Sequence, residues 1–125
     1  MSKINGCRKG KAQEREACRL LTRLGWPTER NARNGKSEPD LVTPFVNLHL
    51  EIKSAKAVGL GTVALTAACD QAKRDAAANE RRAWAVLWKD YGKGWRLTFP
   101  HGETHPTVCG DDDIKTILEW LERGL

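Results

Sequence analysis

No stretch of this chain approaches the ~20 consecutive apolar residues of a membrane-spanning helix, so no transmembrane segment is expected. Its opening residues, Met1-Ser-Lys-Ile-Asn-Gly-Cys-Arg-Lys-Gly10, lack an apolar core and are polar and basic, which predicts no secretory signal peptide. Cysteine is sparse and scattered. Cys7, Cys18, Cys69 and Cys109 form no C-x-x-C pair, and their spacing to His101 or His105 matches no zinc knuckle. Free thiols in a reducing cytosol are the simpler reading. There is no internal repeat and no low-complexity segment, so a solenoid or a disordered tail is not expected.

What remains is the content of one domain. At 125 residues, with 40% hydrophobic and 30% charged side chains, the chain 1–125 can build a single core but not two. Its net charge of +5 is unevenly placed. Residues 1–33 hold nine Lys or Arg against three acids, whereas residues 101–125 hold two against six. A basic amino-terminal third suggests a polyanion such as a nucleic-acid backbone, although a solvated basic helix carries the same charge.

The pattern of apolar residues divides the chain. Residues 1–10 read as a flexible basic arm, with Arg8 and Lys9 able to reach phosphate. A helix is predicted from about Lys11 to Leu24, with Ala17, Leu20, Leu21 and Leu24 as its buried stripe. Glu14 and Glu16 flank that stripe, and Arg15 lies on the far side. Gly25-Trp26-Pro27 turns the chain into a short strand. The polar loop that follows carries Arg30, Arg33, Lys36 and Ser37 just ahead of Asp40, a suitable place to hold phosphate or simply a solvated surface. A second, alanine-rich helix is predicted from Thr62 or Val63 to Asn79, with Leu65, Ala68, Cys69, Ala72 and Ala76 on one face. Gln71 on that helix could point toward a site or toward solvent. Trp84–Lys89 reads as a buried strand, Trp95–Phe99 as its hairpin partner, and residues 110–123 as a carboxy-terminal helix. The aspartates at 111–113 fit a helix start better than a metal cluster.

One stretch concentrates chemistry. From Leu48 to Lys53 the sequence alternates strictly, with Leu48, Leu50 and Ile52 on one strand face and His49, Glu51 and Lys53 on the other. Read as a hairpin across Thr43–Asn47, it brings Asp40 beside Glu51 and Lys53. Two carboxylates held together repel unless a cation neutralises them, and Mg²⁺ or Mn²⁺ is the usual ion for oxygen ligands. A nearby ammonium can steady an attacking water or the charge on phosphate. An ordinary solvated Glu–Lys pair has the same short pattern.

The order is a helix with Glu14, a strand, a loop, Pro39-Asp40, a turn, Glu51-Ile52-Lys53, then a helix and two strands. It resembles the PD-(D/E)XK nuclease superfamily, and within it the archaeal-type Holliday junction resolvases, which have phage relatives. Arg8-Lys-Gly-Lys-Ala-Gln-Glu-Arg-Glu16, Gly25-Trp26, Arg30, Asn34-Gly35 through Ser37, Trp84–Lys89 and Gly94-Trp95-Arg96 carry the likeness over residues 8–99. The loop before Pro39 is longer than the family's, so Arg30 and Arg33 compete for one phosphate-binding role.

The resemblance implies an α/β fold of restriction-endonuclease type, a mixed central β-sheet flanked by α-helices. It implies Asp40, Glu51 and the backbone carbonyl of Ile52 as Mg²⁺ ligands, with Mn²⁺ able to substitute and Glu14 completing the site. Lys53 would orient water, with Gln71 as an accessory residue. Arg8, Lys9, Lys11, Arg15, Arg30, Arg33, Lys36 and Ser37 would meet DNA. The implied protein is a homodimeric endonuclease cutting four-way DNA junctions in the cytoplasm of a bacterial or phage-infected cell. Exposed parts of Trp84, Trp88, Leu118 or Trp120 could supply the subunit contact, although most of these suit a core better. A nuclease acting on flaps or ends, and a non-catalytic DNA-binding module, are the alternatives.

Overall fold

A computed structural model describes the backbone of residues 2–30, 41–53, 62–90 and 94–124, and the side chains of residues 12–30, 41–53, 63–89 and 94–124. In chain order the elements are α1 (Ser2–Arg23), β1 (Glu29–Arg30), β2 (Leu41–Val42), β3 (Leu48–Lys53) and α2 (Thr62–Ala78). They continue with β4 (Ala83–Asp90), β5 (Gly94–Thr98), β6 (Thr107–Cys109) and α3 (Asp111–Arg123). Four strands form a mixed sheet in the order β3-β4-β5-β6, while β1 and β2 make a separate antiparallel pair. β3 and β4 run parallel and are joined through α2; the β4–β5 and β5–β6 pairs are antiparallel.

Each face of the sheet has its own core. Ala17, Leu20, Leu21 and Leu24 of α1 pack with Leu48, Leu50 and Ile52 of β3, and with Ile114, Leu118 and Leu121 of α3. On the opposite face, Ala68, Cys69, Ala72 and Ala76 of α2 lie against Trp84, Val86 and Trp88 of β4. Small side chains on the helix leave room for the two indoles, which is how an alanine-rich face packs tightly. Burying one such leucine or tryptophan contributes about 1.5–3 kcal/mol. The result is a mixed α/β fold with helices on both faces of the sheet, as the sequence led us to expect. Trp84, Trp88 and Leu118 are buried within the chain and are not free for a subunit contact.

Several local expectations are corrected. The sequence of residues 1–10 suggests an arm, yet the backbone is already helical from Ser2. Gly6 and Gly10 each cost about 1 kcal/mol in a helix, but extending an existing helix is far easier than nucleating one. Strand β6 was not anticipated, because three residues are too few to show a period. The aspartates stand in the first turn of α3 as expected, but not as caps: Gly110 occupies the N-cap without a side-chain hydrogen bond, and Asp111 pairs with Arg23 at 2.9 Å. Those carboxylates therefore act through the helix dipole rather than as caps.

The largest correction concerns the hairpin. β2 pairs with β1, in the register Glu29↔Val42 and Arg30↔Leu41, and not with β3. The connecting turn spends its polar groups elsewhere. The Glu122 carboxylate of α3 accepts from the backbone N–H of Val46 (2.8 Å), Asn47 (2.8 Å) and Leu48 (3.1 Å). From the other side, Arg81 donates to the carbonyls of Phe45 (2.6 Å) and Val46. Arg81 is aimed there by the end of α2, where Glu80 adopts a positive φ of 56°. Bonds from Glu80 N–H to the Ala77 carbonyl and Arg81 N–H to the Ala76 carbonyl close that helix end in a Schellman arrangement.

Among the described residues, no helix is long and apolar enough to cross a membrane. The described cysteines are free thiols. Burial pushes the Cys69 thiol up to about 11, with the neighbouring Asp70 carboxylate adding to it. Burial also raises Cys18, helped by Glu14. Because the thiolate is the reactive form, alkylation at about pH 7.5 should, among the described cysteines, modify exposed Cys109 first and Cys69 only after unfolding. Peptide mass spectrometry over a time course reads the order directly.

Candidate functional site

The alternation along β3 divides its side chains as the sequence indicates, but the polar face is not solvated. His49 and Glu51 are 4% and 8% exposed, because α2 covers that side of the parallel pair. A buried charge must find partners or stay expensive. Glu51 has two. Its Oε1 lies 3.7 Å from Lys53 Nζ and its Oε2 lies 3.2 Å from His49 Nε2. Lys53 Nζ in turn donates to Gln71 Oε1 of α2 at 3.1 Å. Glu51, Lys53 and Gln71 thus form one connected group. Lys73 and Arg74, on the same helix, are exposed.

Asp75 sits one helical turn beyond Gln71. Its carboxylate, that of Glu51 and a ring nitrogen of His49 all lie within 4.8 Å of one another. Sequence reasoning gives neither His49 nor Asp75 a role. The signal for His49 is present: it shares the strand face of Glu51 and Lys53. Asp75 shares a helix face with Gln71 at a spacing of four, which becomes informative only once α2 is known to cover β3.

The second group lies on α1 and β1. Glu14 Oε2 is 3.7 Å from Arg30 Nε, and among the described residues that buried nitrogen has no hydrogen-bond acceptor. Arg30 pairs in register with Leu41, the residue directly after Asp40 in the chain. Glu16, two residues on, forms a 2.5 Å ion pair with Lys89. Lys89 follows Trp88, the register partner of Lys53. The middle of α1 therefore reaches the sheet at the end where Lys53 stands. Arg15 is exposed on the same helix. Asp40, Arg33, Lys36 and Ser37, and the side chains of Arg8, Lys9 and Lys11, lie outside the described residues.

A pocket of about 150 Å³ opens beside His49, lined also by Leu41, Thr43, Asn79 and Arg81. Comparison with models of known protein families finds no match, and a search of curated proteins finds no relative.

Proposed function

We propose that this chain is a metal-dependent endonuclease of restriction-endonuclease-like fold that cuts branched DNA, with the four-way junction as its substrate. The observation that carries the reading is the Glu51–Lys53 pair. A carboxylate and an ammonium stand 3.7 Å apart on one face of one strand, and Gln71 hydrogen-bonds the ammonium. The order of elements supports it. An α1 bearing Glu14, then β1, β2 directly after Asp40, β3 with Glu51 and Lys53, α2, β4 and β5 is the order of the family that the sequence resembles.

A divalent ion would stabilise the buried Glu51 carboxylate, beside which the Asp75 carboxylate also lies. Asp40, Glu51 and the Ile52 carbonyl would hold Mg²⁺, or Mn²⁺ in its place, with Glu14 completing the site through water. When bound, the ion supplies Lewis-acid polarisation of the phosphodiester. The chain's own residues do the rest. Lys53 offers positive charge where negative charge grows on phosphate, and its bond to Gln71 fixes the direction of the ammonium. Arg15 and the basic residues of 1–33 draw in the DNA backbone, which makes binding weaken steeply with salt. Recognition of the junction would rest on shape rather than on base sequence. Two nicks on opposite strands call for a homodimer, working in the cytoplasm.

The test is a panel of labelled four-way junction, flap and linear duplex, each with and without Mg²⁺. Symmetric paired nicks in the junction alone are expected. Cleavage confined to flaps or ends would move the substrate; cleavage of nothing in any divalent ion would end the nuclease reading.

A further inference from the structure

The nuclease reading gives His49 and Asp75 no role, yet both stand beside Glu51. His49, Glu51 and Asp75 place three ligand atoms within 4.8 Å of one another, close enough to share one ion. Two of the three residues are buried, His49 at 4% and Glu51 at 8% exposure. The Glu51 carboxylate is divided between two neighbours: Oε1 faces Lys53, and Oε2 faces His49. Lys53 balances the charge of Glu51. Among the described residues no Lys or Arg forms an ion pair with Asp75.

The backbone sets the trio up without strain. Gln71 and Asp75 lie one turn apart on the same face of α2, a rise of about 6 Å. Lys53 and Glu51 lie two residues apart on β3, about 6.6 Å. The two spacings match, so when Gln71 meets Lys53, Asp75 arrives beside Glu51 and His49. His49 also lines the pocket beside β3.

We propose that His49, Glu51 and Asp75 form a mixed nitrogen–oxygen site selective for a first-row transition ion of the Mn²⁺ class over Mg²⁺. Magnesium favours all-oxygen sites with near-ideal octahedral geometry, whereas an imidazole ligand shifts preference to transition ions. The site shares Glu51 with the nuclease reading but does not depend on it: the trio can hold an ion whether or not the chain cuts DNA.

The experiment is electron paramagnetic resonance of Mn²⁺ added to the full-length chain, with Mg²⁺ as competitor. The free-ion signal falls as Mn²⁺ binds, and nitrogen hyperfine modulation reports an imidazole ligand. Wild type should bind Mn²⁺ with nitrogen modulation, and displacing it should take at least about a tenfold excess of Mg²⁺. His49→Gln should lose the modulation and weaken Mn²⁺ binding at least as much as loss of an outer partner, about 10–100-fold. Asp75→Asn should weaken binding and keep the modulation, which gives a second reading if His49→Gln does not fold. Free Mn²⁺ in the presence of folded wild type, or bound Mn²⁺ without nitrogen modulation, would overturn the proposal. Neither readout requires DNA cleavage, so loss of the nuclease reading and loss of this ion site are told apart.

Discussion

Glu51→Gln should lower metal-dependent DNA cleavage by about 10²–10³-fold or more, the range for removing one preorganised charged group from a reacting centre. The substitution keeps the size of the side chain and removes only its charge. Three groups register the change together. Lys53 loses its ion pair at 3.7 Å but keeps its hydrogen bond to Gln71. His49 loses the carboxylate at 3.2 Å, and Asp75 becomes the one acid of the trio. The leucines and Ile52 on the other face of β3 are untouched, so circular dichroism and chromatographic behaviour should stay those of wild type. Single-turnover cleavage under saturating Mg²⁺ separates the outcomes. A variant that still cuts at the wild-type rate would remove Glu51 from the chemistry.

Glu122→Ala should destabilise the fold by about 2–4 kcal/mol, although it lies outside the segment that resembles a nuclease. One carboxylate accepts three backbone N–H groups, at Val46, Asn47 and Leu48. Hydrogen bonds to a charged acceptor contribute about 1.5–3 kcal/mol each when buried, and water replaces part of that here because Val46 is exposed. In a domain of this size such a loss lowers Tm by roughly 10 °C. The exposed Lys115→Ala on the same helix should move stability by no more than about 0.5 kcal/mol. Because these three amides lead straight into β3, loosening them also frees the strand that carries Glu51 and Lys53. Glu122→Ala should therefore lose cleavage activity at temperatures where its helices are still folded. Thermal melts beside activity at each temperature check both parts. A wild-type Tm would show that the turn holds without Glu122.

The contrast between these two residues shows what the sequence could disclose. Glu51 announced itself, because a strand with period two sorts its own side chains and no distant information is needed. The stripe of α1, the small-residue face of α2 and the β4–β5 hairpin were legible for the same reason. Glu122 was not. It acts on residues 74 to 76 positions away, and nothing in the local pattern of either segment hints at the other. The β2–β3 hairpin failed through the same gap. A turn looked sufficient from its composition, but its amides and carbonyls are taken by Glu122 and Arg81, while β2 finds β1. His49 falls between the two cases. Its face was readable from alternation, but its burial depended on α2 closing over β3, a tertiary fact.

We propose that Asp40, Glu51 and Lys53 together make a metal-dependent site for phosphodiester hydrolysis. The most direct measurement is cleavage of a labelled four-way junction, with and without Mg²⁺, by wild type beside Asp40→Asn. Paired nicks that require the ion and vanish in the variant are the expected result. Cleavage by Asp40→Asn at the wild-type rate, or by wild type in the presence of a chelator, would contradict the claim.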